Sequence, residues 1–485
     1  MKDRTRTFRQ MNRVYGAENA AKRAQRVAEL NNEGVRERQR GNLELAMYLL
    51  FQAIDIDPKC AAVHDNLGTV YFDIGNAAYA VECHRKAVEL GSGTLRALEN
   101  FLFTMQYVES EPQVIIDYAQ YFESWVQSMC KPEALPYAGT RDPDRELRVG
   151  YVYVGQLHVQ NHFLGTIYSH SEDVRVFAYQ LSTFSHLTDQ ELAAVIRKDS
   201  IDVLVDCTMH MAGSRPLVFA HRPAPVQIAW LAYPGTTGMK CMSHRISDSI
   251  TDPPGTDGFY TEQTLRIPNF WCGYDPQSSE PVAASPYFKN DAITFGCLNN
   301  PAKITPQTLK LWAPIFKQFP SARLILPSRG YRAQEHLLQK MRETDVTPAK
   351  VIWAPFLYRS EYLRVYNEID IAIDTIPYNG HTTTLDALWM GVPVVSRTGS
   401  TCVGRGASSI LSMMFDDRAA CDTDEKFLNE IKNHVDWIVE RRCSGGRGYI
   451  RDRLIASKMM DQRYAASCLE AAYRVAWADY CKSAK

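Results

Sequence analysis

The sequence predicts an α/β protein made of two Rossmann-like lobes that face each other across a cleft, preceded by an all-α segment built on a helical repeat. Three observations carry this. Small residues recur at a 34-residue offset near the amino end, nine short β-branched apolar runs follow Glu146, and a polar stretch from Asp275 to Asn290 divides those runs into two sets. With 485 residues the chain also exceeds what one hydrophobic core usually supports.

The helical segment spans residues 1–108. Gly34, Gly41, Ala46 and Ala53 recur as Gly68, Gly75, Ala80 and Ala87, and Asn32 recurs as Asn66. Small residues at this period let paired helices approach closely and stack, and the pattern over about residues 27 to 94 resembles the tetratricopeptide repeat. Two copies fall short of the roughly three needed for an independent solenoid, so flanking helices from Met1 to Arg26 and from Leu95 to Val108 should support them. The segment reads as a docking module, for a protein partner or for the rest of the chain, or as a helical bundle with no binding role of its own. Residues 109–146 are rich in proline and turn signals and read as an irregular connector.

The apolar runs come next. LRVGYVYV, VRVFAYQL, IDVLVDC and VQIAWLAY fall in a first lobe, residues 147–285. AITFGCL, ARLILPS, KVIWAP, IDIAIDT and VPVVSR fall in a second, residues 286–485, which ends in amphipathic helices. Unbroken β-branched runs of this length are expected of parallel strands buried on both faces. Ligands of such sheets bind at the carboxyl ends of strands, so the loops after these runs are where chemistry is sought.

Composition narrows the function. Lys plus Arg total 54 against 55 Asp plus Glu, so no bulk basic charge is available for nucleic acid. The 12 cysteines form no CxxC pair or Cys/His cluster, which suggests neither zinc nor a disulfide framework. A basic, polar amino terminus without an apolar core, and no apolar run near the ~18 residues of a membrane span, lead us to expect a soluble chain in a cytoplasmic, reducing compartment.

The most informative loop follows IDIAIDT. Asn379, Gly380, His381, Thr382, Thr383 and Thr384 stand directly before a helix that begins near Leu385. A helix start exposes unpaired N–H groups and a positive dipole end, glycine admits close approach, and threonine hydroxyls add donors. A diphosphate suits that environment. Capping alone could use one Thr, with Asp386 as a favourable first-turn carboxylate.

The segment NGHTTTLDALWMG resembles the motif of the O-linked N-acetylglucosamine transferase family, which includes bacterial members and plant SPINDLY-type enzymes. The likeness runs over about residues 147 to 477 and implies a GT-B-type pair of lobes. Carried over residue by residue, it implies that His381, Thr382 and Thr383 lie along the donor diphosphate and that Asp386 reaches the ribose. FGCLNNPAKITPQTLKLW is similar to the start of the family's nucleotide-binding lobe, which gives Lys303 the role of its essential lysine. A cation there can neutralise charge building on the leaving diphosphate. Asn300 falls where the animal enzyme has Gln, Tyr362 where it has a His near the base, and Arg359 keeps the charge of a family Lys. RPAP at Arg222–Pro225 and YPGTT at Tyr233–Thr237 match a third block, which reads as a rigid turn with Thr236 and Thr237 as acceptor-side contacts. Arg405 and the carboxyl-terminal helix also agree with the family and read as structural, the helix crossing back onto the first lobe.

The general base is the point of departure. After the first strand the family shows Ser, Asp and His-Pro, whereas this chain reads YVYVGQLHVQNHFLG. One deletion places His158 on the family's histidine, with His162 four residues on; His210, in DCTMHMAGSR, is a second candidate. No DxD element sits convincingly at a strand end, DPD at Asp142 to Asp144 lying in the connector, so metal-independent, inverting transfer is expected, with no cofactor and no metal ligands. The resemblance implies a UDP-N-acetylglucosamine donor and Ser or Thr of a polypeptide as acceptor. Two other readings stay open: GDP-fucose as donor, as in SPINDLY-type enzymes, and a repeat-containing adaptor whose lobes have lost catalysis.

Overall fold

A computed structural model describes residues 2–91, 95–108, 111–130, 139–155, 161–231, 235–268, 270–355, 357–415, 421–441 and 446–483. Six helices open the chain: α1 (Lys2–Gln39), α2 (Leu43–Ile56), α3 (Ala61–Ile74), α4 (Ala77–Glu89), α5 (Leu95–Met105) and α6 (Pro112–Met129). The repeated small residues act as expected. A Cβ on Gly34 would lie 3.0 Å from Leu50 Cγ and one on Gly68 2.7 Å from His84 Cε1, while Ala46, Ala53, Ala80 and Ala87 are fully buried between the paired helices. Gly41 and Gly75 take positive φ at the two helix turns, as the period requires.

The helical segment docks on the second lobe. Gly75 abuts Pro301, and the Lys340 amine donates to the Gly75 carbonyl at 3.0 Å. Below that contact, Ala77 and Tyr107 share an apolar cluster with Ala302, Tyr378, Cys402 and Val403.

Residues 109–146 differ from the expected irregular connector, because α6 occupies most of their middle. Pro112 sits in the first turn, where its missing N–H costs nothing. Ile115, Ala119, Phe122 and Val126 then bury one face against the first lobe. Pro112 initiates this helix and does not break it.

All nine apolar runs are strands. The first lobe holds a parallel sheet of β1 (Leu147–Tyr153), β2 (Val174–Gln180), β3 (Val203–Asp206), β4 (Val226–Ala229), β5 (His244–Ser247) and β6 (Gln263–Arg266), in the order β2-β1-β3-β4-β5-β6. The second holds β7 (Thr294–Gly296), β8 (Arg323–Pro327), β9 (Lys350–Ala354), β10 (Ile371–Ile373) and β11 (Val394–Val395), in the order β11-β10-β7-β8-β9, also parallel. Strands β5 and β6 escape an apolar-run reading because they are HRIS and QTLR. The Arg245 charge is met by Asp252 at 2.8 Å and by the Tyr260 ring at 3.7 Å, so a polar strand can be buried. The last helix, Gln462–Lys482, returns to the first lobe and joins Tyr473 Oη to Tyr151 Oη at 2.9 Å.

Gly238 tests the α6 interface. Its φ is +75°, and a Cβ there would stand 2.2 Å from the Ala119 carbonyl oxygen of α6. Gly238→Ala should therefore cost about 3 kcal/mol, from backbone strain plus overpacking. Gly41→Ala, at positive φ but in open space, should cost only about 1 kcal/mol. Urea unfolding of the two variants checks this; equal midpoints would contradict it.

Candidate active site

Two strand ends of the second lobe build the site. β10 is followed directly by Asp374, whose buried carboxylate accepts from the backbone N–H of Thr375 at 2.8 Å and of Gly380 at 2.7 Å, from Asn299 Nδ2 at 2.8 Å and from Ser396 Oγ at 2.6 Å. This ties the loop from 375 to 380 onto the sheet. Gly380 has no room for a side chain, since a Cβ would lie 2.6 Å from Thr383 Oγ1 and 2.9 Å from Asn299 Oδ1. The helix Thr382–Trp389 starts immediately afterwards with His381 as its N-cap. Thr384 Oγ1 turns back to the Gly380 carbonyl at 2.9 Å, and the Thr383 hydroxyl donates to Asn299. Of the three threonines, one closes the helix start and one joins the β7 loop.

From β7 the chain enters a single 3-10 turn, Pro301–Lys303, capped by Asn300 Oδ1, which accepts from the Ala302 N–H at 3.1 Å. Lys303 emerges from that turn over the Tyr378 ring, 3.6 Å from its centroid, and its amine donates to the Asn379 carbonyl at 2.7 Å. Burial lowers the Lys303 amine to about 8, and the Asp374 carboxylate opposes that fall. The Tyr378 ring packs in turn on Tyr107, 4.9 Å between centroids, so the helical segment supports the lysine from below. His381 lies between Tyr378 and Trp271, with centroids 5.6 and 5.9 Å away. Burial, reinforced by the Lys303 charge, holds its imidazole down at about 3, and its buried Nε2 has no hydrogen-bond partner among the described residues. A neutral imidazole, an ammonium and a helix amino end thus meet at one place. Together they can receive an anionic group.

The other expected residues are placed differently. Asp386 is buried, and its Oδ1 accepts from Tyr274 Oη at 2.6 Å and from Arg359 at 2.7 Å. In this arrangement it joins a segment of the first lobe to the second and is not open to a ribose. Tyr362 lies half-buried beside it, its hydroxyl 3.0 Å from that of Tyr366. His210 is a correction: it is buried at 2 % exposure, its Nε2 lies 3.1 Å from the Thr237 carbonyl oxygen, and its ring meets Phe122 of α6 edge-on at 4.7 Å. Burial takes its imidazole down to about 4. A histidine enclosed between α6 and a first-lobe loop is a packing residue. Thr236 and Thr237 are also buried, and both hydroxyls donate to Glu262, which removes them from acceptor contact. His158 and Tyr233 lie outside the described residues. His162 holds the Asp275 carbonyl oxygen with Nδ1 at 2.8 Å. Arg405 donates across to the Thr251 carbonyl of the first lobe at 2.7 Å.

Asp374, Asn299 and Tyr378 were not identified from sequence. The usable signal was the lone carboxylate closing the apolar run IDIAIDT, because a charge at the end of a buried strand needs a partner.

Comparison with known proteins bears on the family and the fold. The family model Glycosyl transferase family 41 matches residues 182–278 and 273–433. A relative from Arabidopsis thaliana, described as a probable UDP-N-acetylglucosamine–peptide N-acetylglucosaminyltransferase SPINDLY, is 28 % identical over 417 residues, 79 % of this chain and 45 % of its own length. One of the same description from Solanum lycopersicum is 33 % identical over 301 residues, 61 % of this chain and 32 % of its own. The chain thus spans less than half the length of these curated relatives. Among solved structures, a mutant O-GlcNAc transferase from Thermobaculum terrenum superposes with a TM-score of 0.84 at 30 % identity, covering 94 % of this chain and 91 % of its own.

Proposed function

This chain belongs to glycosyl transferase family 41, and from that premise we propose that it moves N-acetylglucosamine from UDP-N-acetylglucosamine to Ser or Thr hydroxyls of polypeptides. The observation that carries the reading is the convergence of Lys303, His381 and the amino end of helix Thr382–Trp389. The acceptor oxygen attacks the anomeric carbon from the face opposite the diphosphate, and the bond to the diphosphate oxygen breaks with its electron pair leaving on phosphate. Lys303 and the first-turn N–H groups stabilise that growing charge without a metal. The acceptor proton passes to a base, for which His158 is the remaining candidate.

The test is incubation of the purified protein with labelled sugar nucleotide and polypeptide acceptors, with and without EDTA. Labelled polypeptide at an EDTA-insensitive rate supports the reading. Turnover of a small-molecule acceptor alone, or hydrolysis alone, sinks it. GDP-fucose, the alternative donor left open by the sequence, is the second to try, and the nucleotide sugar that raises the melting temperature at equal concentration identifies the donor.

A pH profile follows from Lys303. The charged amine is the useful form and is lost as pH rises through about 8. In the free enzyme kcat/KM should fall about tenfold per pH unit above that value. His381, held near 3, adds no limb between pH 5 and 9. A profile flat to pH 10 would contradict the role given to Lys303.

A further inference from the structure

We propose that Asp374 is a positioning residue for the Lys303 ammonium and that it acts through the peptide unit joining Asn379 to Gly380. The catalytic consequence rests on the function proposed above; the geometry does not. The carbonyl of this unit accepts from Lys303 Nζ at 2.7 Å, and its N–H donates to Asp374 Oδ1 at 2.7 Å. In a trans peptide these two groups point in opposite directions. An anion and a cation therefore grip the two ends of one amide, and each polarises it in the sense that strengthens the other bond.

Among the described residues, every hydrogen bond to the Asp374 carboxylate comes from a donor. Thr375 N–H, Gly380 N–H and Asn299 Nδ2 reach Oδ1, and Ser396 Oγ reaches Oδ2. Burial pushes the Asp374 carboxyl above its ordinary range and these four donors oppose that rise, a set that suits a carboxylate, which only accepts. The groups facing Lys303 come from three elements. They are Asp374 directly after β10, the Cys297 thiol after β7, and Tyr378 and His381 in the loop between. Burial pushes the thiol up to about 12 and holds the imidazole near 3, so neither carries charge at neutral pH. Asp374 is the carboxylate among them. It fixes the carbonyl on which the amine rests and keeps that amine protonated despite its burial.

The test is competitive acetylation of the Lys303 amine in the full chain across pH, read by mass spectrometry, which needs no turnover. The wild type should reach half-maximal reactivity near pH 8. Asp374→Asn keeps the volume and removes the charge, and its midpoint should fall by about one pH unit, so that Lys303 labels about fivefold faster at pH 7. Ser396→Ala removes one donor and leaves the charge, and should keep the wild-type midpoint. An unmoved midpoint in Asp374→Asn overturns the proposal, as does an equal shift in Ser396→Ala. If Asp374→Asn does not fold, a neutron structure of the wild type at pH 7 decides, because a deuteron on the Asp374 carboxyl overturns it and a bare carboxylate supports it. These midpoints appearing in a protein that turns over no sugar nucleotide would sink the proposed function and leave this inference standing.

Discussion

Lys303→Ala is expected to lower kcat for sugar transfer by roughly 10²–10³-fold, the loss typical of removing one preorganised charge-stabilising group, while the donor KM changes little. The amine is fixed before substrate arrives. It rests on the Asn379 carbonyl and above the Tyr378 ring, half-buried, next to the start of helix Thr382–Trp389. Charge on a departing diphosphate is largest in the transition state, so the missing ammonium should be felt mainly in kcat. Initial rates with varied donor separate the two constants. A variant with wild-type kcat and only a raised KM would reduce Lys303 to a ground-state anchor.

The second large effect is on stability. Arg359→Ala is expected to cost about 3 kcal/mol, because removing one partner of a buried ion pair strands the other. Asp386 is 2 % exposed and would keep neutral tyrosine hydroxyls, those of Tyr274 and Tyr362, but no cation as partner. Burial works against the Arg359 guanidinium, yet the hydrogen bond and charge of Asp386 hold it above its ordinary range. The same guanidinium also holds the Pro276 carbonyl, so this one side chain fastens the segment that leaves the first lobe. Arg364→Ala, which breaks a pair with Glu280 whose arginine side chain is 60 % exposed, should cost less than about 1 kcal/mol. Urea unfolding compares them. Similar midpoints for the two variants would show that the buried pair contributes no more than a surface one.

Much of this arrangement could be read from residue order. Nine apolar runs became nine strands because a parallel strand covered on both faces has to be apolar along its whole length. The segment from His381 to Thr384 and Lys303 stand out in the sequence because few residue types suit a phosphate, and the fold brings them together. What stayed hidden depends on pairings that reach outside the element itself. Strand β5 is buried through an Arg245–Asp252 contact that no local pattern contains. Helix α6 was masked by Pro112, whose meaning depends on which turn of a helix it occupies. His210 looked reactive as a polar residue after a strand, and its enclosure by Phe122 comes from a helix almost ninety residues upstream. Asp374 closes the run IDIAIDT without standing out in sequence, since its importance lies in donors from Asn299, Gly380 and Ser396 that only folding brings together.

The account stands most directly on a crystal structure of the protein soaked with UDP. It predicts β-phosphate oxygens within about 3 Å of Lys303 Nζ and of the N–H groups opening helix Thr382–Trp389. A diphosphate bound elsewhere, with the Lys303 amine still on the Asn379 carbonyl and no anion beside it, would contradict it.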